Sequence, residues 1–530
     1  MKIERSWGVL LHITSLPGKY GIGTLGDEAY RFIDLLSENG VSYWQILPTG
    51  PVSHSMKYSP YSSLSCFAGN ELFINIDKVK EKKWFVYDKI IAPKIAEDSF
   101  VNFKNAEEFT IDFIKLAKDN FIKNSKKEEK NEYKEFCIEH GDTWLNDYSL
   151  YRALAAKFDS YNWLQWDRDI ALRKKESIAA MAEELKDQTD FFKFAQFLFH
   201  SQWKEMREYA NEKRIKIIGD IPIYMSMDSA DSWSSQNILC IDYEEMSPKF
   251  VAGVPPDYFS ETGQLWGNPL YVWHSEDQLH RNNPLNEDTY KWWLKRVSHS
   301  LKFTDIIRID HFRGFESFWS VKYGEETAVN GKWIKGPGKD IFDRLAKDLG
   351  DLPIIAEDLG IITPEVKKLR DELALPGMKI LLFAFDHNNK NEYLPHNITD
   401  RKCIVYTGTH DNNTANGWFY DQYMSEDNRK YILEYLGMKD WSDFHLRLIR
   451  EAMATIADLV IIPAQDILGY GPEFRMNTPG TIENNWQWKL TRDALNRENM
   501  AVFKRMGHIF TRIPQNEIEN TKEMYNEKNN

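Results

Sequence analysis

Short apolar runs that end in polar or charged residues recur along the chain, at 8–13, 43–47, 215–221, 305–310, 353–358, 379–385, 403–409 and 458–466. Their nearly unbroken Val, Ile and Leu content suits strands buried on both faces, as in a parallel sheet. Most are separated by enough chain for a helix, for example at 29–39, 364–374 and 442–457. Eight buried strands with helical connections predict an α/β fold, a (β/α)8 TIM barrel. The uneven spacing predicts large insertions. The first part of the barrel is read over 1–75, a mainly helical, Lys/Glu-rich insertion over 76–213, and barrel again over 214–240. A loop-rich insertion over the active site follows at 241–300, with an active-site loop at 253–267; the remainder of the barrel spans 301–515 and a polar tail 516–530.

In such a barrel the chemistry belongs at the C-terminal ends of the strands. The residues that close the runs are Asp220, Asp310, Glu357 with Asp358, His410 with Asp411, and Asp466. Acidic groups gathered on one face are costly unless they are used or paired. Arg308 and Asp310 point to the same side of their strand. An arginine there holds the carboxylate ionised, as a glycosidic nucleophile requires; a structural ion pair is the alternative. Glu357 leaves an apolar strand beside Asp358, and desolvation with a neighbouring negative charge raises its pKa toward that of a general acid. The alternative is an incidental glutamate next to a helix-capping aspartate. His410 and Asp411 can hydrogen-bond two sugar hydroxyls, or cap the strand-to-helix turn. In the loop, glycines supply hinges and Tyr258, Phe259 and Trp266 supply stacking faces, unless these rings only pack against the barrel.

Composition narrows the picture. Lys and Arg number 67 against 80 Asp and Glu, a formal balance of −13. This disfavours a nucleic-acid partner. The four cysteines are scattered, and no H-E-x-x-H or close Cys/His cluster occurs, so neither a disulfide framework nor a metal site is expected. No apolar run is long enough for a membrane span or a signal-peptide core, which makes a cytoplasmic location the expectation. The 18 tryptophans are compatible with sugar stacking and equally with a large core.

The chain resembles the amylomaltase, or disproportionating enzyme, family of 4-α-glucanotransferases from end to end. The resemblance rests on Gly8-Val9-Leu10-Leu11-His12, Thr14-Ser15-Leu16-Pro17-Gly18, Ser59-Pro60-Tyr61-Ser62-Ser63, Gly219-Asp220-Ile221-Pro222, the loop just described, Arg475-Met476-Asn477-Thr478-Pro479-Gly480 and Asn485-Trp486-Gln487-Trp488. It implies that Asp310 is a nucleophile, Glu357 the acid/base and Asp411 a transition-state stabiliser. It implies substrate contacts for Tyr61, Asp228, Arg308 and His410, and a mobile acceptor-side loop for Tyr258, Phe259 and Trp266. It implies no cofactor, α-1,4-glucans and glucose as partners, no nucleic acid or membrane, and a monomer or weak homo-oligomer. The chain departs from the family's habit at Met56-Lys57-Tyr58, Leu382 and Asn413. An α-amylase-like hydrolase shares the three-carboxylate layout; a glucan-binding protein would not need all three groups.

Overall fold

The computed structural model describes residues 3–86, 99–256, 260–274 and 284–513. Eight parallel strands carry the core: β1 (Ser6–Leu10), β2 (Tyr43–Gln45), β3 (Lys216–Pro222), β4 (Ile306–Asp310), β5 (Ile354–Ala356), β6 (Met378–Ile380), β7 (Ile404–Tyr406) and β8 (Leu459–Pro463). They hydrogen-bond in the order β5-β4-β3-β2-β1-β8-β7-β6. Adjacent strands are consecutive in sequence except where the last, β8, pairs with the first, β1, as in a (β/α)8 barrel. Each expected run overlaps one strand; Asp220 and Asp310 lie within β3 and β4, whereas Glu357, Asp358, His410, Asp411 and Asp466 follow the ends of theirs.

The seam between β5 and β6 is closed in part by a side chain. Ala356 N donates to Pro376 O at 2.9 Å, and Met378 N donates to Asp358 Oδ1 at 2.7 Å. The other Asp358 oxygen is held by Arg370. A Cβ on Gly377 would stand 2.5 Å from Asp358 Oδ2, so the seam needs glycine there. Asp358 therefore stitches the barrel and caps no helix. Glycine is needed for a different reason in β1. A Cβ on Gly8 would meet the Ile461 side chain at 2.6 Å and Tyr43 Cβ at 2.7 Å, because those residues are its partners on the two flanking strands.

The surrounding helices bury one stripe each. In Asp27–Glu38 the buried residues are Ala29, Phe32, Ile33 and Leu36, the spacing of one helical face. Burial of each large apolar side chain of this kind contributes about 1.5–3 kcal/mol. Between β2 and β3 the described chain is built of helices, ending in the long helix Lys186–Glu212. Its Tyr209 hydroxyl donates to Asp34 at 2.7 Å and its Trp203 indole N–H donates to Phe303 O at 3.0 Å. It thus lies between helices Asp27–Glu38 and Glu287–Phe303 and serves as a layer helix of the barrel.

A second sheet was not expected. It is antiparallel and four-stranded, and runs Lys332–Lys335, Ser317–Lys322, Phe250–Val254, Gln264–Pro269. Two strands come from the region read as loop-rich and two from the stretch read as barrel. The hairpin from Phe250 to Pro269 carries the expected active-site loop at its tip; Tyr258 and Phe259 lie outside the described residues. So does the expected polar tail.

Candidate active site

A cleft of about 660 Å³ opens at the ends of β4, β5 and β7. Asp310, Glu357 and Asp411 line it together with Arg308 and His311, and Trp266 of the second sheet forms part of its wall. Three residues singled out for acid/base chemistry thus come from three different strands and share one space.

Asp310 closes β4, and the next residue turns sharply. His311 has φ of 55°, left-handed backbone that a non-glycine residue adopts only at a cost. The turn aims the His311 N–H at Glu357 Oε2, 2.7 Å away. Leu359 N donates to the other oxygen, Oε1, at 2.8 Å. Each oxygen of Glu357 is thus held by a backbone amide, which fixes the carboxyl without supplying a counter-charge. Asp411 is held differently. Asn477 Nδ2 donates to Asp411 Oδ1 at 2.6 Å, and Arg475 Nη2 donates to the Asp411 carbonyl at 2.6 Å. His410 Nε2 lies 3.4 Å from the remaining Asp411 oxygen.

Arg308 is shared. One nitrogen, Nη1, lies 2.6 Å from Asp220 Oδ2 and 3.0 Å from Asp310 Oδ1. Tyr61 donates its hydroxyl to the same Asp220 oxygen at 2.7 Å. The Tyr61 ring stacks on His410, with centroids 5.1 Å apart and planes 14° apart. Trp486 adjoins both rings.

The balance of charge sets the protonation. Burial pushes the Asp310 carboxyl well above the usual carboxylate range; Arg308 opposes this, and Asp220, Glu357 and Asp411 add to it. Burial also raises Glu357, against Arg308 and the two amide bonds. Arg308 thus draws Asp310 toward the ionised form, as expected of its position, while burial and the neighbouring acids act against it. Burial raises both the Asp310 and the Glu357 carboxyl. Burial lowers His410, against the pull of Asp411, so its imidazole is neutral.

Asp228 is not among the residues lining the cleft. It is partly buried, and desolvation raises its pKa to about 6. Asp466, another run-closing acid, accepts from Thr407 Oγ1 at 2.5 Å and Ala415 N at 2.7 Å and so ties β7 to β8. Sequence reasoning assigned no role to Asp220, Arg475, Asn477 or Trp333. Asp220 was visible as a strand end. Arg475 and Asn477 were visible only inside a motif whose role was left open. Among the described residues no group of three His, Cys, Asp or Glu side chains is arranged to hold a metal ion.

The sequence profile described as 4-alpha-glucanotransferase matches residues 11–495. The chain belongs to that family. It is 44% identical over 494 residues to a 4-alpha-glucanotransferase of Synechocystis sp., covering 93% of this chain and 95% of that one. It is 44% identical over 503 residues to a 4-alpha-glucanotransferase of Clostridium butyricum, covering 95% and 100%. Its fold is similar to that of an amylomaltase from Streptococcus agalactiae in complex with acarbose, with a TM-score of 0.88, 35% identity, and 96% and 100% of the two chains covered. This 4-alpha-glucanotransferase family member thus carries its carboxylates on the barrel expected from its apolar runs. Among the described residues no helix is long and apolar enough to cross a membrane.

Proposed function

We propose that the cleft moves a segment of an α-1,4-glucan to the 4-hydroxyl of another glucan or of glucose, by two displacements on Asp310. Glu357 donates its proton to the leaving glycosidic oxygen while an Asp310 oxygen attacks the anomeric carbon. A covalent glucosyl ester forms and the leaving chain departs with the proton. The 4-hydroxyl of the acceptor then enters, Glu357 takes its proton, and the new bond forms with the α configuration retained. The observation that carries this reading is that Asp310, Glu357 and Asp411 line one cleft, with Arg308 3.0 Å from Asp310 and a backbone amide on each oxygen of Glu357. Asp310, beside the Arg308 guanidinium, is set to attack, and Glu357, held by amides without a counter-charge, is set to donate.

Asp411, fixed by Asn477 and adjoined by His410, hydrogen-bonds sugar hydroxyls and stabilises the flattened, positively charged transition state. Arg308 and Tyr61 orient the sugar and Asp310 through Asp220. We assign Asp228 a contact to the same sugar. Trp266 covers the acceptor side, a role we also assign to Tyr258 and Phe259, which lie outside the described residues. Exclusion of water there is what favours transfer over hydrolysis. No cofactor enters any step.

The test is incubation of the protein with pure maltotriose, with Asp310→Asn as control. Glucose and a ladder of longer maltodextrins, absent with the variant, are the expected products. Glucose and maltose alone would replace transfer by hydrolysis.

A further inference from the structure

Trp333 lies on the edge strand Lys332–Lys335 of the second sheet, far in sequence from the hairpin that carries Trp266. It nevertheless lines the same cleft as Asp310 and Glu357, and 40% of its surface is exposed. An exposed tryptophan on an edge strand is ordinarily free to change rotamer. This one is braced. The Arg313 guanidinium lies over its ring at 3.9 Å from the centroid. The Trp319 ring, its partner across the ladder, meets it edge-on with centroids 5.2 Å apart.

Arg313 has an unusual setting for a residue that only supports a ring. It is 5% exposed, and its Nη1 donates to Ile361 O. Its Nε is buried without a hydrogen-bond partner among the described residues. Burying an arginine in this way costs free energy, and Glu316 is the one acid that offsets it. The return is a rigid aromatic face beside a charged donor in a cleft that takes sugar. The apolar C–H face of a glucose ring stacks on such a surface, and a platform already held in place loses little entropy on binding.

We propose that Trp333, braced by Arg313, is a stacking subsite for a glucose unit of the acceptor glucan, remote from the bond that is made. The side is set by continuity: Trp333 extends the sheet whose other edge bears Trp266. This rests on the glucanotransferase reading and deepens it. A glucan that lies on this platform while its end enters the reacting centre gains a contact that glucose alone does not. Trp333 therefore sets a preference for long acceptors.

The experiment uses maltotriose as donor and compares labelled glucose with labelled maltohexaose as acceptor. Trp333→Thr removes the ring and keeps a β-branched residue on the strand. The ratio of kcat/KM for maltohexaose to that for glucose is expected to fall about five- to tenfold. Trp333→Phe, with a smaller ring, is expected to fall between that variant and the parent. An unchanged ratio in both variants overturns the subsite. If the Thr variant does not fold, a Phe variant with the parent's ratio overturns it alone. Absence of any transfer by the parent would instead refute the glucanotransferase reading, so the two failures are distinguishable.

Discussion

Two buried arginines show what separates a structural charge from a working one. Arg152, in the helical region between β2 and β3, faces one carboxylate. Its Nη1 lies 3.0 Å from Glu71 Oε1, with side-chain exposures of 9% and 5%. Tyr148 donates to the same oxygen and accepts from Arg152 at 2.6 Å. One positive charge meets one negative charge, and hydrogen bonds take up the rest. Arg308 faces the opposite situation. It is divided between Asp220 and Asp310, and Glu357 also acts on it. In this unmatched cluster, burial and the neighbouring acids raise the Asp310 carboxyl against a single guanidinium, and a retained proton is what a glycosidic bond needs. Burial alone does not mark a catalytic charge; a surplus of one sign does.

The largest effect should come from breaking the unmatched cluster at its reacting atoms. Asp310→Asn removes the nucleophile, and transfer from maltotriose is expected to fall by on the order of 10⁴ or more, as losses of catalytic nucleophiles do. Glu357→Gln removes the proton donor, with an expected loss of about 10²–10⁴. Both variants should melt within a few degrees of the parent, because they relieve like-charge crowding. Loss of activity accompanied by collapse of the melting temperature would mean that the cluster is structural.

Breaking the matched cluster should do the reverse. Glu71→Gln leaves Arg152 buried and uncompensated, which costs about 3–5 kcal/mol of stability. Urea unfolding at neutral pH reads this directly. The folded fraction should keep its transfer activity per molecule. A variant as stable as the parent would show that Arg152 has another way to be satisfied, and would weaken the contrast with Arg308.

How much of this was open to inspection in the chain itself follows from which contacts are local. The barrel was legible because its strands are buried on both faces, so runs such as the one around Ile461 and Ile462 are apolar without a break. Asp310, Glu357 and Asp411 were legible because they close such runs. The second sheet was hidden. Ser317–Lys322 reads SFWSVK and Lys332–Lys335 reads KWIK, too short and too mixed to show a period, and their partners lie in another insertion. The sharing of Arg308 was hidden for a related reason. Its contact to Asp220 spans 88 residues, and the Tyr61 bond to the same acid spans 159. Nothing local to any of the three announces the other two.

A smaller effect is expected at Asn477, which touches Asp411 from the C-terminal motif. Its amide donates to a carboxylate, and such a bond contributes about 1.5–3 kcal/mol where it is fully formed. Asp411 is partly exposed, with 43% of its side chain accessible, so water replaces some of the loss. Asn477→Ala should therefore lower kcat by about tenfold or less, with little change in KM, since the contribution of Asp411 is greatest in the transition state. Asn477→Asp, which sets a second negative charge against Asp411, should be worse than alanine. A KM effect without a kcat effect would move Asn477 from positioning the acid to binding the ground state.

The finest test of the comparison changes its stoichiometry and leaves the reacting groups in place. Asp220→Asn removes one negative charge and frees Arg308 to face Asp310 alone. Asp220 is among the groups that raise the Asp310 carboxyl and Arg308 is the group that lowers it, so both consequences act in one direction. The folded-state pKa of Asp310 falls. Activity requires that carboxyl ionised, so the acid limb of the kcat/KM profile, read against each protein's own maximum, should move to lower pH. The variant loses some rate, because Tyr61 and Arg308 lose an anchor, but a loss of rate does not by itself move a limb. A limb that stays in place would mean that Arg308 already serves Asp310 fully despite Asp220. A limb that moves to higher pH would mean that Arg308 follows the lost anchor away from Asp310, and that Asp220 holds the guanidinium in position more than it competes for it.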